Sequence, residues 1–129
     1  MLRPRVCDDL HVTGSVLIVD DHPAFRASAR SLLEGEGYEV VAETGSGETA
    51  VDLTLELEPD LVLLDVALPD LSGLEVAERL ARSSSRIVLV SSRDPRDFGA
   101  RFHSTPAVGF ISKDDLSGET LRKLLEESP

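Results

Sequence analysis

Three stretches of four consecutive apolar residues punctuate the chain: Val16-Leu17-Ile18-Val19, Leu61-Val62-Leu63-Leu64 and Ile87-Val88-Leu89-Val90. None alternates with polar positions, so each predicts a strand buried on both faces, as in a parallel sheet covered by helices. Weaker stretches add strands at Tyr38 to Ala42, through Val40 and Val41, and at Val108 to Ser112, through Phe110 and Ile111. Glu39 puts the first of these at a less buried edge.

Between the strands the apolar period becomes helical. Phe25, Ala29, Leu32 and Leu33 share one face of a helix that Pro23 opens and Gly35 stops. Ala50, Leu53 and Leu57 follow a Ser46 cap and end at Glu58-Pro59-Asp60. Leu74, Ala77, Leu80 and Ala81 follow Ser72 and Glu75, which have capping-box spacing. Asp94-Pro95 opens a helix with Phe98 and Phe102, which Gly99 weakens and Pro106 limits. Leu121, Leu124 and Leu125 form the stripe of a last helix.

Strands alternating with helices in five βα units imply an α/β domain with a parallel sheet and right-handed crossovers. At this size the expected fold is doubly wound and flavodoxin-like, with strand order 2-1-3-4-5. Residues 1–14 lack periodicity and read as a flexible N-terminal extension, leaving 15–129 as one domain. The 129 residues, 41% hydrophobic, suit a single core.

Charge narrows the partners. The formal charge of −11, from 24 acidic and 13 basic residues, disfavours nonspecific attraction to DNA or anionic lipid and favours cations and proteins. One cysteine, Cys7, excludes an internal disulfide. Without a signal peptide or a membrane-spanning apolar run, the expected location is the cytoplasm.

The strand ends carry the candidate chemistry. The first closes on Asp20-Asp21, the third on Asp65, the fourth on Ser91-Ser92, and Lys113 follows the fifth. In open α/β sheets, the carboxyl ends of the strands border the ligand crevice. Taken singly, each of these residues reads as a helix cap, a loop hydroxyl or a surface charge. Together, three carboxylates must bind protons or a hard cation, for which Mg²⁺ is the natural candidate and Mn²⁺ an alternative. Lys113 and Ser91 suit the oxygens of a phosphoryl group in transfer, and Asp65 is the best-placed acceptor for an aspartyl phosphate. His11, His22 and His103 lack metal-ligand spacing and read as surface residues. Gly45-Ser46-Gly47 is a weak phosphate-loop candidate, lacking a lysine.

These segments, with Val16 to Pro23, Leu63-Leu64-Asp65 followed by Pro69 and Gly73, Leu89 to Ser92 and Gly109 to Lys113, resemble the receiver domain of bacterial two-component response regulators. The resemblance covers Ser15 to about Leu125. It implies phosphorylation of Asp65 by a sensor histidine kinase or phosphotransfer protein. It also implies a metal held by Asp20, Asp21, Asp65 and the backbone carbonyl of Ala67. Ser91 and Phe110 match the switch pair and Lys113 the phosphoryl-pairing lysine, while Ala67 and Arg93 flank the phosphoryl site where lifetime is tuned.

Asp-His-Pro after the first strand, with Phe25 and Arg26, is most like receivers that carry a helix-turn-helix output domain; the expectation here is a stand-alone receiver. Asp114 stands where many receivers have proline after the lysine, and Gly99, His103 and Pro106 make the helix after the fourth strand unusual. An aspartate-based phosphatase would need a carboxylate at position 67, which is alanine. The expected function is therefore a regulatory switch, not an enzyme acting on external substrates. It would signal to a downstream protein effector without direct DNA binding or a membrane, with receiver dimerisation left open. A receiver-like adaptor acting without phosphorylation is the alternative.

Overall fold

The computed structural model describes residues 14–93 and 104–127. The predicted helix bearing Phe98 and Phe102 lies outside the described residues, as do Cys7, His11 and His103. The elements are β1 Gly14–Val19, α1 Pro23–Gly35, β2 Tyr38–Thr44, α2 Gly47–Leu57, β3 Leu61–Asp65, α3 Gly73–Arg79, β4 Arg86–Ser91, β5 Gly109–Ser112 and α4 Gly118–Glu127. The sheet has the order β2-β1-β3-β4-β5, and every adjacent pair is parallel.

The all-apolar strands are explained by two cores, one on each face. Leu17, Val19, Val62, Leu64 and Leu89 point to the side that Ala50 of α2 and Leu74, Val76 and Ala77 of α3 cover. Val16, Ile18, Leu61, Leu63 and Val88 point to the other, against Ala29 and Leu33 of α1 and Leu121 of α4. With a period of two, a strand covered on both sides has no position left for a polar residue until it emerges at its end. In β1 and β3 those emerging residues are Asp20 and Asp65.

Several boundaries differ from the sequence reading. β1 begins at Gly14, two residues before the predicted Val16, and β5 begins at Gly109, one later than predicted. β2 runs to Thr44 because its register with β1 slips by one residue, Val16 facing Val40 and Leu17 facing Ala42. Val41 is the extra residue and is exposed. In α2 Ala50 is buried as expected, but the next buried position is Thr54, whose hydroxyl donates to the Ala50 carbonyl at 2.7 Å, while Leu57 is exposed. Glu58 adopts the left-handed conformation at φ 49° and caps that helix, of which Leu57 is the last residue. α3 stops at Arg79, so Ala81 is exposed and Val76 takes its place inside. The expected capping box is half realised: Ser72 Oγ accepts from Leu74 N at 3.1 Å, but Glu75 pairs with Arg79.

Candidate phosphoryl and metal site

Asp20 follows the last residue of β1, and its backbone N–H donates to the Thr44 carbonyl at 2.9 Å. Arg26, one turn into α1, donates to the Asp20 carbonyl and pairs with Glu43 at 3.3 Å. The Asp20 side chain is thus aimed inward from a backbone fixed on two sides. Asp20 and Asp65 are 1% and 2% exposed, whereas Asp21, the third carboxylate, is in solvent. Asp20 Oδ1 accepts from His22 N at 2.8 Å, and His22 Nδ1 lies 3.0 Å from Asp20 and 3.2 Å from Asp21. His22 is exposed, as read from the sequence, yet its ring leans on both acids.

Lys113, directly after β5, crosses to the acids. Its ammonium lies 2.6 Å from Asp20 Oδ2 and 3.4 Å from Asp65 Oδ2. The Phe25 ring of α1 supports it from below, its centroid 4.4 Å from Nζ, a cation–π contact. Burial pushes Asp65 up to about 6, with the nearby Asp20 charge adding to the rise against the Ala67 N–H and Lys113. A carboxylate raised in this way, beside a second buried acid and one lysine, is short of positive charge.

The loop after β3 is tied to Asp65 itself. Asp65 Oδ1 accepts from Ala67 N at 3.1 Å, Gly73 N donates to the Val66 carbonyl at 2.7 Å, and Ala67 bridges Ser72. Gly73 is required by space: a Cβ there would fall 2.2 Å from the Asp65 carbonyl oxygen. Ser91, at the end of β4, is buried, and its hydroxyl accepts from Arg93 N at 2.9 Å. Phe110, paired with Leu89 across the sheet, is half-buried against the α2–α3 core.

Asp20, Asp21, His22 and Asp65 each offer an atom within 4.8 Å of the others. The buried Asp20 Oδ2 accepts no hydrogen bond of good geometry, and the Lys113 ammonium lies 2.6 Å from it. A buried carboxylate oxygen whose counter-charge is a shared ammonium, set among other carboxylate oxygens, fits a hard dication such as Mg²⁺. Sequence spacing missed two participants. His22 reaches the acids only through the turn between β1 and α1, and Asp70 binds the amino end of α2 across a gap of more than twenty residues. Neither belongs to a periodic pattern.

A family model for the response regulator receiver domain matches residues 16–126. The transcription regulator BvgA of Bordetella pertussis is 39% identical over 110 residues, 84% of this chain and 53% of that protein. The DNA-binding transcriptional activator EvgA of Escherichia coli is 35% identical over 103 residues, 78% of this chain and 50% of that protein. The chain thus spans about half the length of these relatives. Among solved structures, the receiver domain of a modulated diguanylate cyclase from Desulfovibrio desulfuricans superposes with a TM-score of 0.79 at 32% identity, covering 89% of this chain and 92% of that one. That of NarL from Mycobacterium tuberculosis gives 0.78 at 30%, covering 89% and 95%. The fold, the rim of acids and lysine, and these likenesses agree, and the chain belongs to the receiver domains of two-component response regulators.

Proposed function

We propose that this receiver is a phosphorylation-dependent switch in which Asp65 is the phosphoacceptor. The observation that carries it is the Lys113 ammonium shared between the two buried carboxylates Asp20 and Asp65. A carboxylate oxygen of Asp65 attacks the phosphorus of a phosphohistidine on a kinase or phosphotransfer protein. The P–N bond breaks, the imidazole leaves with the electron pair, and an acyl phosphate forms. Ala67 N–H holds Asp65 Oδ1, which leaves the oxygen facing Lys113 for the attack. Lys113 then meets the charge on the phosphoryl oxygens.

Magnesium binding is typical of the family. Asp20, Asp21, Asp65 and the Ala67 carbonyl would hold the ion, which neutralises charge on the phosphoryl oxygens; Mn²⁺ has the same donor preference. His22 Nδ1 sits at the edge of this set. Ser91 supplies a hydroxyl for a phosphoryl oxygen once it releases Arg93 N, and Phe110, two residues before Ser91's partner Ser112 on β5, follows that movement. Ala67 offers no base to activate water, and Arg93 shields the in-line path, so the phosphorylated state persists.

The output of this acidic domain is protein contact. Its 13 basic residues against 24 acidic ones provide little for the phosphates that dominate DNA affinity. Two BvgA- or EvgA-like receivers, or a receiver and an effector, are the partners such a surface suits, with cytoplasmic action. Mass spectrometry after acetyl phosphate treatment tests the reading: a single adduct lost in Asp65→Asn and dependent on Mg²⁺ is expected. Equal labelling in excess EDTA would overturn the metal's part, and labelling of Asp65→Asn the assignment of the acceptor.

A further inference from the structure

Asp70 lies at the tip of the loop after β3, and its carboxylate spans to another helix. Oδ1 accepts from Gly47 N at 2.8 Å, and Oδ2 accepts from Glu48 N at 3.0 Å and from Ser46 Oγ at 2.9 Å. These are the first backbone donors of α2, so an anion fixed there meets both unsatisfied N–H groups and the positive end of the helix dipole. The Glu48 and Gly47 N–H groups hold the Asp70 carboxyl well below the usual carboxylate range, so it is ionised at any working pH.

The two segments also meet by shape. A Cβ on Gly47 would come to 3.0 Å from both the Leu71 and Val76 side chains, so glycine lets the α2 start close on this loop. On the other side, a Cβ on Gly45 would come to 3.1 Å from Asp21 Cα. Gly45-Ser46-Gly47 is therefore wedged between the loop carrying Asp20-Asp21 and the loop carrying Ala67. This accounts for a motif that looks like a phosphate cradle: its anion is the chain's own Asp70.

We propose that Asp70 is a positioning residue for the metal cradle, holding the loop that presents the Ala67 carbonyl against the α2 start and so against the Asp20-Asp21 loop. This rests on the reading of Asp20, Asp21, Asp65 and Ala67 as metal ligands. The path is short and covalent: Asp70 sits between Ala67 and Ser72, which bridge each other, while Ala67 N is tied to Asp65. Release of Asp70 leaves Asp65 held by β3 but lets Ala67 drift relative to Asp20. Residues that orient metal ligands indirectly are commonly worth ten- to a hundredfold in metal affinity.

The test is a Mg²⁺ titration followed by backbone amide NMR shifts on the whole chain for wild type, Asp70→Ala and Asp70→Asn, with thermal unfolding in EDTA alongside. Expected is a dissociation constant raised roughly tenfold in Asp70→Ala. Asp70→Asn, which keeps an acceptor for Gly47 N, should fall between the two. A helix cap of purely structural value would lower the melting temperature and leave the dissociation constant of the folded protein unchanged. Equal affinities in wild type and Asp70→Ala would overturn the positioning role and leave the site reading intact. Should Asp70→Ala fail to fold, wild-type affinity in Asp70→Asn overturns the proposal. A wild type without Mg²⁺-induced shifts at Asp20, Asp65 and Ala67 overturns the metal reading and this proposal with it.

Discussion

Lys113 Nζ stands 2.6 Å from Asp20 Oδ2, closer than it stands to Asp65. The lysine expected to pair with a phosphoryl group thus rests on a carboxylate expected to hold the metal. Cation and ammonium compete for one oxygen. Lys113→Met should tighten Mg²⁺ binding while lowering stability in EDTA by about 2 kcal/mol, less than for a fully enclosed pair because Lys113 keeps some solvent contact. Calorimetric titration and denaturant melts check the two halves separately; weaker Mg²⁺ binding would show that the lysine supports the metal site.

Asp65 gives a pH signature. Its folded value of about 6 lies above its ordinary 3.8, so the folded chain keeps a proton that the unfolded chain gives up. Stability without metal should fall as pH rises from about 4 to 6 and stay low above that range. Asp65→Asn removes the effect. It should stabilise the metal-free protein by roughly 2–3 kcal/mol at pH 7, at about 1.4 kcal/mol per tenfold change, and the gain should vanish below about pH 4. Urea melts at stepped pH in EDTA measure this, and parallel curves for the two proteins would refute it.

Gly73→Ala should cost about 3 kcal/mol or more, because a methyl group cannot share space with the Asp65 carbonyl. Gly35→Ala, with open space around its added Cβ, is the control and should be neutral or slightly stabilising. Comparison of their melting temperatures decides.

Arg93→Ala should shorten the life of the acyl phosphate by exposing phosphorus to water, without changing the yield of adduct at early times. Decay of radiolabelled protein after removal of the donor gives the rate. An unchanged rate would remove Arg93 from the shielding role.

Beryllofluoride, a mimic of the phosphoryl group, should slow or speed amide exchange in β4, β5 and α4 as well as in the acid-bearing loops. Binding of this kind shifts an equilibrium between two arrangements of the face beyond Ser91 and Phe110. Changes confined to the loops of Asp20, Asp21 and Asp65 would deny that coupling.

Much of this arrangement was legible in the sequence. Uninterrupted apolar runs such as Leu61 to Leu64 identify strands covered on both faces, and a covered strand can show its first charge only at its end; that is why Asp20 and Asp65 fall on one rim. Ser46 and Ser72 as caps were readable for the same reason, because capping is a local matter of a few residues. What escaped depends on contacts between distant segments. Leu57 has the right spacing for the core, but as the last residue of its helix it stays exposed. The slip that leaves Val41 outside is a property of β2 against β1, not of β2 alone. The reach of Asp70 to Gly47 and of Lys113 to Asp20 is set by how the loops fold back over the sheet.

The hydrogen bonds of Asp70 have a mechanical consequence. On one half of the rim, the turns after β1, β2 and β3 are cross-braced through Gly45, Ser46 and Asp70, so a load applied at Asp65 finds stiff material there. On the other half, among the described residues, the link from β5 to the acids is a single long lysine side chain held by charge. A change of charge at Asp65 therefore meets a rim braced by hydrogen bonds on one side and a single charge contact from β5 on the other.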